Sequence, residues 1–472
     1  MVLTNVGNPQ FAIRGPGELW QDKDGVLQFK IFAAPQAYQA LRAYMGRPGV
    51  IEQIIPDGDF FTLQAQEHIL PRWTAERILP LTRGGPFEGL AHGYINELVR
   101  AENAPANPES DFVSVRFRGK WDFPCNEGTE TIIRIAGQER QTSNLLNVAV
   151  VTDGEYRFEV RQESEHTTVT LQRPAGGLTT ATPSRIHEAL QFVLGRQLSV
   201  MVIETSSGAQ RITRLTSPSM NRGEGRIHPP LAFLRFDEGG HIWRMFVDYF
   251  RHVHANAEPS WHPISRHVGS AIESTAASLD AEVLALAVAV EGLVGECFPN
   301  LAPVSAEFLT ELDMVETALA AVQLTDQTRK RVKGTIGQMR MPRNSDLVRA
   351  FVANNRLPNG LIKSWSSLRN TSAHGGGDGG REIERTLRLR SEVLSLLYSI
   401  VFAAINYTGP RTDYSLPGWP TRAWPIPQPP TAAPAPASGP PRAAAPPSPN
   451  PPAPIAAPRP QTPPATLPPA AI

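Results

Sequence analysis

The apolar pattern of this chain changes period once, and that change limits the possible architectures more than any other feature. Up to about residue 258, apolar and polar residues alternate in short runs closed by turn pairs. Over 263–407 the apolar residues recur at helical spacing. Alternation buries one face of a strand, whereas spacings of three and four residues bury one face of a helix. The expected fold class is therefore α+β and multidomain. It comprises a β-rich amino-terminal domain over 1–258, an all-α bundle over 259–410 and a disordered Pro/Ala-rich tail over 411–472. A chain of 472 residues exceeds one compact core, which agrees with two folded domains.

Asp24-Gly25, between Leu19-Trp20 and residues 26–32, predicts a hairpin, and Asp153-Gly154, between 147–151 and 156–160, predicts a second. Val169-Thr170-Leu171, 198–203 and 211–215 continue the strand pattern. Thr182-Pro183 supplies an N-cap and a first-turn proline to a helix that Gly195 ends. Ile242, Phe246, Tyr249, Phe250 and Val253 form the apolar stripe of another helix. These signals leave sandwich and barrel equally open. Trp20, Trp73, Trp121 and Trp243 are expected in the core rather than as base-stacking platforms. Glu258-Pro259 marks the boundary. Beyond it, helices are expected over 266–297, 304–323, 325–340, 344–354, 360–373 and 382–407.

Composition matters chiefly at the carboxy-terminal end. Residues 410–472 hold 23 of the 45 prolines. A segment of this kind buries too little apolar surface to offset its ordering entropy, so an extended spacer is expected in preference to the alternative, a docking ligand for an aromatic-lined groove. Cys125 and Cys297 form no disulfide framework and no zinc spacing, which fits a reducing, cytoplasmic setting. The first ten residues lack the features of a secretory signal. The most apolar run, 283–294, is too short to cross a bilayer, so no membrane association is expected. His252, His254, His262 and His267 cluster in sequence but match no metal-ligand spacing, so neither a metal nor a cofactor is expected.

Charge is zero overall but segregated within the helical half. Residues 266–326 carry one basic residue, Arg266, against ten acidic ones; residues 329–390 carry fourteen basic against four acidic. The second block has the footprint of a polyanion-binding surface. The competing reading, two blocks that neutralise each other, is equally open on charge alone. Leu284, Val288, Glu291, Gly295 and Phe298 fall on one stripe of a helix. A carboxylate in mid-stripe needs a partner, and a cation from the basic block is the natural one.

Residues 368–375 read Leu-Arg-Asn-Thr-Ser-Ala-His-Gly. Leu361, Trp365, Leu368 and Ser372 make one helical face, which places Arg369 beside a packed seam. The octapeptide resembles the Arg-x4-6-His signature of HEPN domains, in the form with Asn after Arg and Gly after His. The run Leu-Ala-Leu-Ala-Val-Ala-Val-Glu-Gly-Leu ending at Leu293 resembles the early, glutamate-bearing helix of that family. The order also agrees: glutamate helix, motif, long terminal helix. The resemblance covers roughly 270–407, and the β-rich region before it is similar to the ApeA-like proteins of anti-phage defence.

The resemblance implies a metal-independent endoribonuclease effector in defence or a toxin-like system, with Arg369, Asn370, His374 and Glu291 at its centre. It also implies RNA as substrate (tRNA or another host RNA), a homodimer through the helical domain, and a trigger protein or ligand for the β-rich domain. Two alternatives remain open. One is a non-catalytic HEPN-like module for dimerisation or RNA binding; the other is an interaction protein whose β-rich domain binds the partner. The side chains suit the chemistry on their own terms. An imidazole exchanges protons near neutrality, and a guanidinium holds a phosphate bidentately. In one continuous helix, positions five apart diverge by about 140°. Either the helix breaks near Ala373, or two copies of the motif share one phosphate. The run 375–380 spells Gly-x-Gly-x-x-Gly, but a helix rather than a strand precedes it, which excludes a dinucleotide fingerprint.

Overall fold

The computed structural model describes residues 1–45, 55–66, 71–82, 89–103, 111–121, 123–135, 138–145, 147–173, 177–218, 225–232, 240–256, 258, 260–374 and 379–427, with the backbone alone at 82, 129–135, 138–145, 371–374 and 379–382. Residues 1–427 form one unit. Pro259 and, from residue 428 on, the expected tail lie outside the described residues.

The fold is mixed α+β, with a large antiparallel sheet in the amino-terminal part and helices towards the carboxy-terminal end. Among the described residues the sheet has eleven strands. In spatial order they are Val148–Asp153, Tyr156–Gln162, His166–Arg173, Asp111–Arg118, Val200–Ser207, Gln210–Thr216, Glu97–Asn103, Trp73–Ile78, Phe61–Ala65, Val2–Asn5 and Ala12–Arg14. The alternation has the expected outcome. Val113 pairs with Leu171 and Val115 with Val169, and all four side chains are buried. Ser114 and Arg116, between them, are not. A second sheet of four strands, Gly17–Gln21, Leu27–Phe32, Leu90–Ile95 and Leu81–Thr82, shares a small core with the far end of the first. The amino-terminal end is thus a sandwich rather than a barrel.

Both predicted hairpins form. At the first, Gln21 pairs with Leu27, and Asp22 organises the loop by accepting from the backbone N–H groups of Asp24 and Val26. Those bonds hold its carboxyl below the usual carboxylate range. At the second, Asp153 pairs with Tyr156, so Gly154 and Glu155 form the turn.

Ten helices are described: α1 Pro35–Met45, α2 Thr182–Leu194, α3 His241–His254, α4 Pro263–Ser274, α5 Leu279–Cys297, α6 Ala306–Ala321, α7 Asp326–Met339, α8 Asn344–Asn354, α9 Gly360–His374 and α10 Gly379–Ala404. The expected helix over 266–297 is two, because Ser278 caps α5 by accepting from the Ala281 N–H at 3.1 Å. Thr182 opens α2 as its first residue rather than as its N-cap. Its hydroxyl accepts from the backbone N–H of Thr179 and contacts His254.

α2 is buried on nearly every side, packed against the strand Asp111–Arg118, α3 and α4. One continuous core runs from that strand through α2 and α3 into α5, α8, α9 and α10, so the packing does not pause at residue 258. Gly195 ends α2 in the left-handed region at φ 60°. A Cβ there would lie 2.7 Å from the carbonyl oxygen of Ile227. Gly195→Ala is therefore expected to cost more than the roughly 1–2 kcal/mol of left-handed strain alone. Urea denaturation measures this cost, and an unchanged midpoint would contradict it.

Two further expectations are corrected. The chain remains folded past residue 411: Gly409–Thr412 pairs with Thr421–Trp424. Arg411, Asp413, Tyr414 and Trp424 are buried there. The proline average of the whole segment concealed these anchoring side chains. Trp121 and Trp243 are buried as expected, but Trp20 is 37% exposed and Trp73 only half-buried. Among the described residues no helix is long and apolar enough to cross a membrane.

Candidate functional site

α5 is the organising element of the helical region and packs against α4, α8, α9 and α10. Its buried face is Val283, Leu286, Ala287, Val290, Leu293 and Val294. The stripe expected to be buried, Leu284 and Val288 leading to Glu291, is instead displaced towards solvent. Leu284 is 43% and Val288 54% exposed. α5 is apolar almost all round, so its sequence period could not tell which face the bundle covers. Glu291 lies at the margin of the packed face, half-buried.

α9 runs beside α5. Leu361, Trp365 and Leu368 make its buried seam as expected, and the Ser372 side chain lies outside the described residues. The Trp365 indole N–H donates to the backbone carbonyl of Ala287 on α5 at 3.2 Å. This bond sets the height of α9 against α5, and one turn later Arg369 meets Glu291. Its Nε lies 2.6 Å from a carboxylate oxygen of Glu291, and the guanidinium lies over the Trp365 ring at 5.9 Å. The Arg369 side chain remains 53% exposed. The acid thus orients the cation without removing it from solvent, where a phosphate could reach it. Asn370 is exposed next to it.

His374 ends α9; its side chain lies outside the described residues, as do Gly375 to Asp378. The helix is unbroken from Gly360 to His374. That excludes the break near Ala373 that the sequence left open. Positions 369 and 374 therefore diverge by about 140° around one axis.

Sequence reasoning did not find the ion pair between Arg390 of α10 and Glu282 of α5, both largely buried. Burial raises the Glu282 pKa, with Arg390 opposing the shift. Nor did it find Ser364, whose hydroxyl bonds Glu392 of α10. The i, i+4 spacing of Trp365 and Arg369 was the available signal for the indole beneath the guanidinium.

The two charge blocks neutralise each other only in part. Arg369 pairs with Glu291, Arg390 with Glu282, and Arg340 with Asp313 and Glu316. Lys330, Arg331 and Lys333 on α7, Lys363 on α9 and Arg385 on α10 are exposed. Among the described residues no carboxylate lies within ion-pairing distance of these five.

The histidine cluster disperses. His254 bonds Thr182, His267 faces Glu296 at 3.4 Å, and His252 and His262 are ring neighbours. Burial, with His252 and two arginines nearby, pushes His262 down to about 4. Among the described residues no three His, Cys, Asp or Glu side chains are grouped so as to hold a metal. Cys125 and Cys297 are unpaired, and burial pushes the Cys297 thiol up to about 11. No family model, no curated protein and no solved structure matches this chain.

Proposed function

We propose that the helical region is a HEPN-type, metal-independent endoribonuclease module of a cytoplasmic effector. The observation that carries this reading is the oriented but accessible guanidinium of Arg369 on Glu291. A structural ion pair gains most when both partners are shielded. Here the acid is shielded and the base is half exposed, an arrangement suited to receiving a second anion. The five exposed cations without a carboxylate supply the surrounding positive field for an RNA backbone.

The reaction needs no outside nucleophile. The ribose 2′-oxygen attacks the adjacent phosphorus, the bond to the 5′-oxygen breaks, and a 2′,3′-cyclic phosphate and a 5′-hydroxyl result. One proton leaves the 2′-hydroxyl and one is delivered to the 5′-oxygen. The His374 imidazole is assigned to one of these transfers. Arg369 would stabilise charge on the phosphate oxygens, with Asn370 donating to the same group. The divergence of positions 369 and 374 along an unbroken α9 supports a site shared between two copies, each supplying one of the two residues. Leu284 and Val288 on α5 and Ile383 and Leu387 on α10 are all more than 40% exposed. They provide an apolar surface next to the motif for a second copy. The β-rich part would restrain or trigger the module.

Wild-type protein and His374→Ala are to be incubated with total RNA and the new ends mapped. Loss of cyclic-phosphate ends in the variant, by roughly 10²–10⁴-fold, is the expected result. RNA binding by both without cleavage by either would leave a non-catalytic RNA-binding module instead.

A further inference from the structure

At the open end of the amino-terminal sandwich, between its two sheets, is a cavity of about 760 Å³. We infer that this cavity is a binding site for an uncharged small molecule carrying an aromatic ring and at least one N–H or O–H donor.

Its size is that of pockets that enclose drug-sized molecules. The floor is the exposed margin of the small core: Leu27, Ile95 and Leu98 line the cavity and are themselves buried. Trp20 and Trp73 also line it. An indole left 37% exposed beside aliphatic side chains is surface that a flat apolar ring would remove from water. Trp73 packs on the small core and offers such a ring its stacking surface, whereas Trp20, cross-strand from Gln28 and next to the core-facing Leu19, borders the cavity from the outward face of its sheet.

Charge on the ligand is disfavoured. None of the lining side chains is an acid, a base or a histidine. The cations at hand are already engaged: the amino-terminal ammonium of Met1 donates to the Gly15 carbonyl at 2.9 Å, Lys30, over the Trp20 ring, pairs with Glu18, and Arg100, over the Trp73 ring, pairs with Glu102. A charged group placed among the leucines would lose its hydration without gaining a partner.

The polar requirement comes from two amides. Gln21 donates its side-chain N–H to the Gly25 carbonyl at 2.8 Å, and Gln28 donates to the Asp22 carboxylate at 2.7 Å. Both line the cavity. Their carbonyl oxygens accept no hydrogen bond among the described residues, so each is an acceptor available to a ligand donor. The inference stands independently of RNA cleavage, because the cavity belongs to the sandwich and not to the helical region.

N-phenyl-1-naphthylamine tests all three attributes: it is uncharged, aromatic and has one N–H. Its sulfonated analogue, 1-anilinonaphthalene-8-sulfonate, has the same rings and an added negative charge. Fluorescence titration of the full chain is expected to give saturable one-to-one binding of the neutral probe. The sulfonate should bind at least about ten-fold more weakly. Trp73→Ala should weaken the neutral probe about ten-fold or more, and so should Leu19→Glu, which places a carboxylate in the lining. Each variant is first checked for wild-type circular dichroism. If Trp73→Ala does not fold, Leu19→Glu and Gln28→Leu carry the test. Absence of saturable binding, equal affinity for the two probes, or binding unchanged in every folded variant would each overturn the inference. The last outcome would place the probe elsewhere, for instance on the exposed apolar residues of α6 and α7.

Discussion

Arg369→Ala is expected to slow RNA cleavage by roughly 10²–10³-fold, the usual cost of removing one donor to developing oxyanion charge. Arg369→Lys should recover little of that loss. An ammonium is a point charge, whereas a guanidinium offers a planar fork that matches two phosphate oxygens. Glu291→Gln is the informative companion. The amide still accepts from the Arg369 Nε, so part of the orientation survives without the charge. A loss of about ten-fold or less is expected, confined to kcat. A change in stability should accompany neither variant, because an ion pair whose arginine is 53% exposed contributes only about 0–1 kcal/mol. Single-turnover cleavage of a labelled RNA, with thermal melting in parallel, measures both quantities. Wild-type rates in folded Arg369→Ala would remove Arg369 from the chemistry and leave the Glu291 pair as structure alone.

Arg185→Ala should be the most destabilising single change in the folded part, at about 3–5 kcal/mol. Arg185 and Glu188 lie one turn apart on α2, and neither side chain is exposed to solvent at all. Their contact is 2.5 Å. The same guanidinium donates to the backbone carbonyls of Asn256 and Glu258. The other Glu188 oxygen accepts from the Ser265 hydroxyl and the His262 N–H. The pair therefore ties α2 to the segment joining α3 and α4. Burial pushes the Glu188 carboxyl up, while Ser265 and Arg185 pull it down. Removing the arginine leaves a buried acid with one cation fewer and two carbonyls without donors. The double variant Arg185→Met with Glu188→Leu should cost much less than either single change, because an apolar pair of similar volume leaves no charge unpaired. Urea denaturation of the three variants tests this ordering. A double variant as unstable as Arg185→Ala would show that the cost arises from packing and not from an orphaned charge.

Arg185 and Glu188 are also instructive about legibility. Their spacing is an ordinary i, i+3 surface pair, and nothing local distinguishes it from one. Only the contact of α2 with the sheet on one side and the helices on the other turns it into a buried staple. Glu291 shows the converse. That it would meet a cation from the basic block was readable from the charge pattern. That the cation would be Arg369 was implied by the resemblance, and the bond between Trp365 and the Ala287 carbonyl is what brings the two side chains together. The carboxy-terminal hairpin was not readable, because a composition averaged over the 63 residues from 410 to 472, 23 of them proline, outweighs Tyr414 and Trp424.

By itself the sequence determined what local chemistry determines. It placed the hairpin turns at Asp24-Gly25 and Asp153-Gly154, the end of α2 at Gly195, the change from strands to helices, and the buried seam of α9. Each of these follows from backbone geometry or from a period within one element. The tertiary structure alone decided which face of α5 is covered, that one core spans residue 258, and that two sheets leave a cleft lined by Trp20 and Trp73. Burial depends on neighbours distant in sequence, and an element that is apolar on several faces does not specify which face its neighbours will cover.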